Sequence, residues 1–259
     1  MPTCDNDGVT LAYDDNGGSG SPAFVFVHGW TCNRSFFAPQ FEHFGRDHRA
    51  VAVDLRGHGE STKAKDDDYT IATFANDVAA LIEHLNLAPA VVVGHSLGGI
   101  IATQLAASRP DLVAAAVLVD VAPMVIAAEL QPVFDGLLDA LKSPDGEAAR
   151  AGLVDSMFLP TDDAARRAEI TQVMASTPHD VAVPSIAGVM TIGGGPLSRV
   201  TCPIVSIGSA GPTHEPAQLK AVNPNIVIGQ TVGSGHFNQL EVPDQVNAMI
   251  DQFLVINGL

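Results

Sequence analysis

Apolar and polar positions follow two rhythms along this chain. Ala23-Phe24-Val25-Phe26-Val27, Arg49-Ala50-Val51-Ala52-Val53-Asp54, Val91-Val92-Val93, Ala114-Ala115-Ala116-Val117-Leu118-Val119-Asp120, Pro203-Ile204-Val205-Ser206-Ile207-Gly208 and Ile226-Val227-Ile228 are short runs that stay apolar on successive residues. A strand buried on both faces reads this way, as in a mainly parallel sheet covered by helices. The second rhythm is helical. Ile71, Phe74, Val78, Leu81, Ile82 and Leu85 paint one face of a helix over about 70–86, closed by Asn86 and Pro89. A second helix runs over 97–108 until Arg109-Pro110, a short one lies near 215–222, and a terminal one starts at Pro243 with Val246, Met249, Ile250, Phe253 and Leu254 on one face. Strand and helix in alternation predict right-handed crossovers and an α/β architecture. At the start, Val9-Thr10-Leu11-Ala12-Tyr13 alternates loosely and a turn-rich loop follows, which reads as an edge hairpin with 23–27 as its partner.

The rhythm changes between Pro123 and Arg199, where no strand is legible. Leu130, Val133, Phe134, Leu137, Leu138 and Leu141 repeat with helical period, and further helices are expected near 146–158, 162–176 and 180–191. The expected organisation is an α/β core over 1–122 and 200–259 with a helical cap over 123–199. Met124, Met157, Met174 and Met190 fall in or beside that segment; methionine at helical spacing reads first as core and second as the wall of an adaptable apolar pocket.

The run Val91-Val92-Val93 breaks abruptly into Gly94-His95-Ser96-Leu97-Gly98-Gly99 and then into Ile100-Ile101-Ala102. Strand, serine, helix is the prediction, with Ser96 forced towards positive φ. Residues two positions either side must lack a Cβ for strand and helix to approach that closely, and Gly94 and Gly98 stand there.

Composition narrows the partners. Thirteen basic against twenty-nine acidic residues give a net charge of −16, which repels nucleic acid and anionic membrane surfaces at long range. No apolar stretch is long enough to span a bilayer. The opening Met1-Pro2-Thr3-Cys4-Asp5-Asn6-Asp7 has neither the basic nor the apolar region of a secretory signal, so a cytoplasmic location is expected. Cys4, Cys32 and Cys202 are odd in number and show no C-x-x-C spacing, so neither a disulfide framework nor a structural zinc site is suggested, and they read as small buried or partly buried thiols. With no H-E-x-x-H, G-x-G-x-x-G or G-x-x-x-x-G-K-[ST], metal and nucleotide cofactors have no motif, and a small-molecule substrate is the expected partner. Oligomeric state is unreadable from these patterns.

An elbow serine, a later carboxylate at a strand end and a late histidine in a glycine loop follow one another in chain order. At this point the sequence resembles the α/β-hydrolase superfamily over nearly its whole length. The resemblance is carried by His28-Gly29-Trp30 after the first buried strand, Asp54-Leu55-Arg56-Gly57-His58-Gly59-Glu60-Ser61 after the next, the elbow around Ser96, and Gly235-His236 before the last helix. It implies the α/β-hydrolase fold, Ser96 as nucleophile, His236 as general base and backbone amides of Leu97 and Trp30 as an oxyanion hole; the Trp30 indole either fills an acyl pocket or packs. His28 and His58 read as structural first and pocket-shaping second. His95 reads as packing and His84 as solvated.

The triad acid departs from the commoner pattern. Its usual seat after the strand over 204–207 holds Gly208-Ser209-Ala210-Gly211-Pro212, with Gly211 about where a carboxylate would stand. The resemblance offers Asp120, after the preceding strand, as the alternative seat used in some branches. Asp120 is taken first and Glu215 second, with a purely loop-tying role for Asp120 also open. A hydrolase of carboxylic esters or lactones of small to medium apolar substrates is the leading expectation. Carbon–carbon bond hydrolysis of ring-cleavage products, or cofactor-free ring-opening oxygenation, is the runner-up on the same fold. A non-turnover ligand receptor is the reading from another class.

Overall fold

Eight strands form one sheet in the order β1-β2-β4-β3-β5-β6-β7-β8. The computed structural model describes residues 1–124, 128–191, 195–211 and 216–259. β1 (Thr3–Asn6) and β2 (Val9–Asp15) make an antiparallel hairpin, and β2 also pairs antiparallel with β4 (Ala50–Val53). From β4 through β3 (Phe24–Val27), β5 (Ala90–His95), β6 (Val113–Val119), β7 (Ile204–Gly208) and β8 (Val227–Gln230), every pairing is parallel. The α/β reading therefore holds, and so do the buried runs except the last: β8 lies at the sheet edge, with Val227 37% exposed.

The hairpin differs from the expectation. Its second strand is Thr3–Asn6 rather than 23–27, because both edges of β3 are occupied by β4 and β5. The turn is Asp7-Gly8, with φ of +46° and +75°. Two successive positive φ angles match the right-handed twist of the strands they join.

Ten helices lie among the described residues. α1 (Ala38–Phe44) and α10 (Pro243–Asn257) cover one face of the sheet, while α2 (Ile71–His84) and α3 (Leu97–Ser108) cover the other. The pleat divides the core accordingly: Phe24, Phe26, Val91 and Val93 pack with Phe44 and Ile250, whereas Val25, Val27 and Val92 pack with Phe74 and Ile101. Between β6 and β7 come α4 (Gln131–Lys142), α5 (Gly146–Asp155), α6 (Ala164–Ser176) and α7 (His179–Thr191), with no strand among the described residues. Their Leu141, Val154, Ile170 and Val181 join the α2/α3 side of the core. α8 (Pro216–Val222) links β7 to β8, and α9 (Asn238–Glu241) precedes α10. No described helix is long and apolar enough to cross a membrane.

The loop after β4 is fixed to α2 by a buried ion pair, in which Arg56 Nε and Nη2 donate to the two oxygens of Asp77 at 2.6 and 2.7 Å. That loop, the loop after β3, the elbow after β5 and the ends of β6 and β7 all emerge at the carboxyl edge of the parallel strands, where open α/β sheets hold their sites.

Candidate active site

Ser96 caps α3 directly after β5 and sits at φ +53°, ψ −115°. A non-glycine residue held there stores strain on the order of 1–3 kcal/mol, and the surroundings enforce it. The Ser96 amide completes the ladder to Val119 O at 3.0 Å, while its carbonyl already accepts from Gly99 N. Glycine is required on both sides by close approach: a Cβ at Gly94 would lie 2.1 Å from Gly98 O, and one at Gly98 would lie 2.1 Å from Val27 O.

His236 lies in the loop between β8 and α9. Its Nδ1 is 2.6 Å from Asp120 Oδ2, and the other oxygen of that carboxylate accepts from Ser209 N at 2.8 Å. Asp120 is 2% exposed, ends β6 with its own amide on Ile207 O, and turns at φ +36° to aim its side chain along the sheet edge. With the carboxylate ionised, the shared proton belongs to Nδ1 and Nε2 is left as the basic nitrogen. The Gly208-Ser209-Ala210 stretch, which lacks the usual acid, supplies instead the amide that orients Asp120. Glu215 lies outside the described residues.

The ring and the hydroxyl line one cavity of about 310 Å³, together with Trp30, Leu97, Asp120 and an apolar wall that includes Phe134, Leu137, Met157, Phe158 and Ile186. The Ser96 hydroxyl and the His236 ring make no hydrogen bond to each other. The amides of Leu97 and Trp30 donate to no acceptor among the described residues. Leu97 opens α3, so its N–H is one of the four that a helix start leaves unpaired, and the helix dipole favours negative charge there.

The remaining histidines separate by environment. His28 Nδ1 donates to Gly29 O at 2.8 Å while Nε2 accepts from Leu55 N at 3.0 Å, so the ring is a neutral staple between two loops. Burial pushes it down to about 4. His58 donates through Nδ1 to Arg56 O and burial pushes it down to about 3. His95, also held neutral by burial, is not among the residues that line this cavity, and it does more than pack: its Nε2–H donates to the backbone carbonyl of His236 at 2.9 Å. His84 is exposed. Among the methionines, Met157 lines the cavity, Met124 and Met174 are core, and the side chain of Met190 lies outside the described residues.

Sequence reasoning missed how far the helices between β6 and β7 hold the site. Trp30 Nε1 donates to Ala182 O of α7 at 2.7 Å, and Thr177 Oγ1 donates to Thr31 O at 3.1 Å. Both anchor the loop that carries one unpaired amide. No short-range pattern announces these contacts, which span 152 and 146 positions.

Fold and site geometry together define the class, an α/β-hydrolase. Residues 22–158 match the alpha/beta hydrolase fold family, and the chain belongs to it. It is similar to a bifunctional esterase/perhydrolase of Acinetobacter calcoaceticus, 39% identical over 144 residues that make up 52% of each chain. It is also similar to a lipase of Mycobacterium tuberculosis, 33% identical over 66% of this chain and 64% of the relative. The match thus spans about half to two thirds of these curated relatives. Among solved structures, the enol-lactonase of Burkholderia xenovorans superposes with a TM-score of 0.85 over 98% of this chain and 100% of that one at 23% identity, a likeness of fold.

Proposed function

We propose that this chain is a serine hydrolase that cleaves carboxylic esters or lactones through an acyl-enzyme. A serine hydroxyl is a poor nucleophile at neutral pH and needs a base that takes its proton during attack and returns it to the leaving group. In this reading Ser96 attacks, His236 Nε2 takes the proton, and Asp120 holds the ring in the required tautomer and stabilises the imidazolium. The unpaired amides of Leu97 and Trp30 receive the negative charge that develops on the carbonyl oxygen. Water then enters the same geometry, and His236 activates it to release the acid.

The observation that carries the reading is the 2.6 Å pair between His236 Nδ1 and Asp120 Oδ2, with the free face of the ring on the cavity that also holds the strained serine. The names of the esterase and lipase relatives support it. The helices over 123–199 serve as a cap on the core of 1–122 and 200–259, and the cavity they close is lined so heavily by hydrocarbon that the acyl group it takes is small to medium and apolar. A volume near 310 Å³ is at the small end for ligand sites, about 300–1,000 Å³.

The test is hydrolysis of p-nitrophenyl butyrate by the native chain and by Ser96→Ala. Turnover is expected to vanish in the variant while the fold persists. Retained turnover by Ser96→Ala overturns the assignment.

A further inference from the structure

The base is held by its backbone as well as by its ring. His236 N donates to Met157 O at 2.9 Å, and Gly235 N donates to Asp162 Oδ1 at 3.1 Å. The other oxygen of Asp162 accepts from Leu159 N at 2.7 Å, which closes the turn after α5 that carries both acceptors. The fit is tight: a Cβ at Gly235 would lie 2.6 Å from Asp162 Oδ2 and 2.7 Å from Met157 O. Phe158 of the same turn packs on Phe237 with ring centroids 5.1 Å apart, and Arg166 bonds Leu240 O. From the opposite side His95 holds the His236 carbonyl. The loop that carries the imidazole is therefore clamped between the elbow and the inserted helices, and on the side of those helices, among the described residues, Asp162 is the one clamping side-chain acceptor.

From this we infer that Asp162 is a positioning residue for His236: by gripping Gly235 N and Leu159 N at once, it sets where the imidazole stands over Ser96. The inference rests on His236 being the base. Asp162 is not among the residues that line the cavity. Its carboxylate is a rigid two-acceptor bridge, so its loss frees Gly235 and lets the ring drift while Asp120 still holds Nδ1. A displacement of about 1 Å at a reacting group costs on the order of 100-fold in rate.

The experiment compares native, Asp162→Ala, Asp162→Asn and Gly235→Ala proteins, with Ser96→Ala as control, on p-nitrophenyl butyrate. Asp162→Ala is expected to lower kcat about 10- to 100-fold with KM near the native value and unchanged preference among acyl chain lengths. Asparagine, which keeps one acceptor, recovers part of that loss. Gly235→Ala reproduces the alanine phenotype from the other side by wedging the clamp apart. The proton resonance of His236 Nδ1–H is expected to be downfield and sharp in the native protein and to broaden in Asp162→Ala, a readout independent of any reaction. Native kcat with an unaltered resonance in Asp162→Ala overturns the inference. So does a shift in KM and chain-length preference at constant kcat, which would make Asp162 part of the pocket wall, or a loss that follows the folded fraction alone. If Ser96→Ala is inactive and Asp162→Ala is native-like, the clamp fails and the hydrolase reading stands. If Ser96→Ala keeps turnover, the hydrolase reading fails and the resonance still decides the clamp.

Discussion

His236 Nδ1 and Asp120 Oδ2 meet at 2.6 Å although 116 positions separate them, and the second carboxylate oxygen is taken by Ser209 N. That second bond dictates what Asp120→Asn does. The Ser209 amide needs an acceptor, so the asparagine carbonyl turns to it and the NH2 group faces the ring. The imidazole proton is then driven to Nε2, where it cannot accept one from Ser96. A fall in kcat of about 10⁴-fold at neutral pH is expected, the scale seen when a triad ring is held in the wrong tautomer. Glu215→Gln, measured beside it by steady-state kinetics, is expected to stay near native; the reverse pattern would move the acid to Glu215.

Trp30 separates the backbone from the side chain of the loop after β3. Its amide is the proposed donor, while its indole bonds Ala182 O at 2.7 Å and lines the cavity. Trp30→Phe keeps the amide and loses the indole bond. A stability loss of about 1 kcal/mol is expected, as for one buried hydrogen bond. Kinetics should show kcat kept within about tenfold and KM changed, because uniform binding rather than transition-state stabilisation is lost. A collapse of kcat on the scale of a lost oxyanion donor, about 10²–10³-fold, would mean that the indole holds the loop itself in place.

Much of this architecture was legible because the interior strands are apolar on both faces and the elbow glycines answer a steric demand. Val91-Val92-Val93 before Gly94, and Gly98 after Ser96, could be read without coordinates because the clash each glycine avoids is local. The Asp7-Gly8 hairpin was also local, but the polar start of the chain hid Thr3–Asn6, an edge strand with only one buried residue. The seat of the acid was readable only as a choice. What favours Asp120 in the proposed reading is a strand-end carboxylate turned by its own positive φ and oriented by the Ser209 amide from the next strand, and neither leaves a mark in sequence spacing. The bonds from Ala182, Thr177, Met157 and Asp162 were illegible for a further reason: helical periodicity shows which face of an inserted helix is apolar, not which core loop that face meets.

The buried Arg56–Asp77 pair is placed to fail asymmetrically. Both side chains are almost wholly enclosed, at 3% and 1% exposure. Asp77→Ala leaves a guanidinium without its counter-charge and should cost about 3–5 kcal/mol in urea unfolding. The double variant Arg56→Met, Asp77→Leu removes the desolvated charges together and should recover most of that loss. A double variant no more stable than Asp77→Ala would mean that Arg56 is needed chiefly for its bond to Asp68 O at 3.1 Å.

Acid should destabilise this protein earlier than its carboxylates require. Burial pushes His28 to about 4, His58 to about 3 and His95 well below the usual range. An unfolded histidine titrates near 6.5. Below that value the unfolded chain takes up protons that the folded chain refuses, so stability is full above about pH 6.5 and falls as pH drops towards the folded values. Each buried ring contributes a slope approaching about 1.4 kcal/mol per pH unit. Glu241, whose carboxyl burial pushes up, has the opposite sign and offsets part of this. Urea midpoints between pH 6.5 and 5 should therefore decline, and His58→Gln should flatten the decline by about one proton. A flat native profile over that interval would mean that the three rings accept protons in the fold.

Among the described residues that line the cavity there is no lysine or arginine, and the charged group present is the carboxylate of Asp120. The arginines nearby are committed elsewhere: Arg150 to the carbonyls of Thr177 and Ala175, Arg166 to Leu240 O, and Arg167 to Asp155. A substrate carboxylate entering this space would be stripped of water with no counter-charge, at a cost of several kcal/mol even after relaxation. p-Nitrophenyl 6-methylheptanoate and mono-p-nitrophenyl adipate differ mainly in exchanging a terminal isopropyl group for a carboxylate of similar shape. The neutral ester is expected to show kcat/KM higher by about 10²-fold or more, since each 1.4 kcal/mol is tenfold. The p-nitrophenyl methyl diester of adipate should restore most of the rate, and Ile186→Lys should narrow the gap by pairing the carboxylate. Half-molar salt separates the pocket from the net charge of −16, which also repels anions but is screened beyond a few ångströms at that strength. A preference that disappears in salt would assign the selection to the whole molecule's field, and one that persists would assign it to the cavity wall.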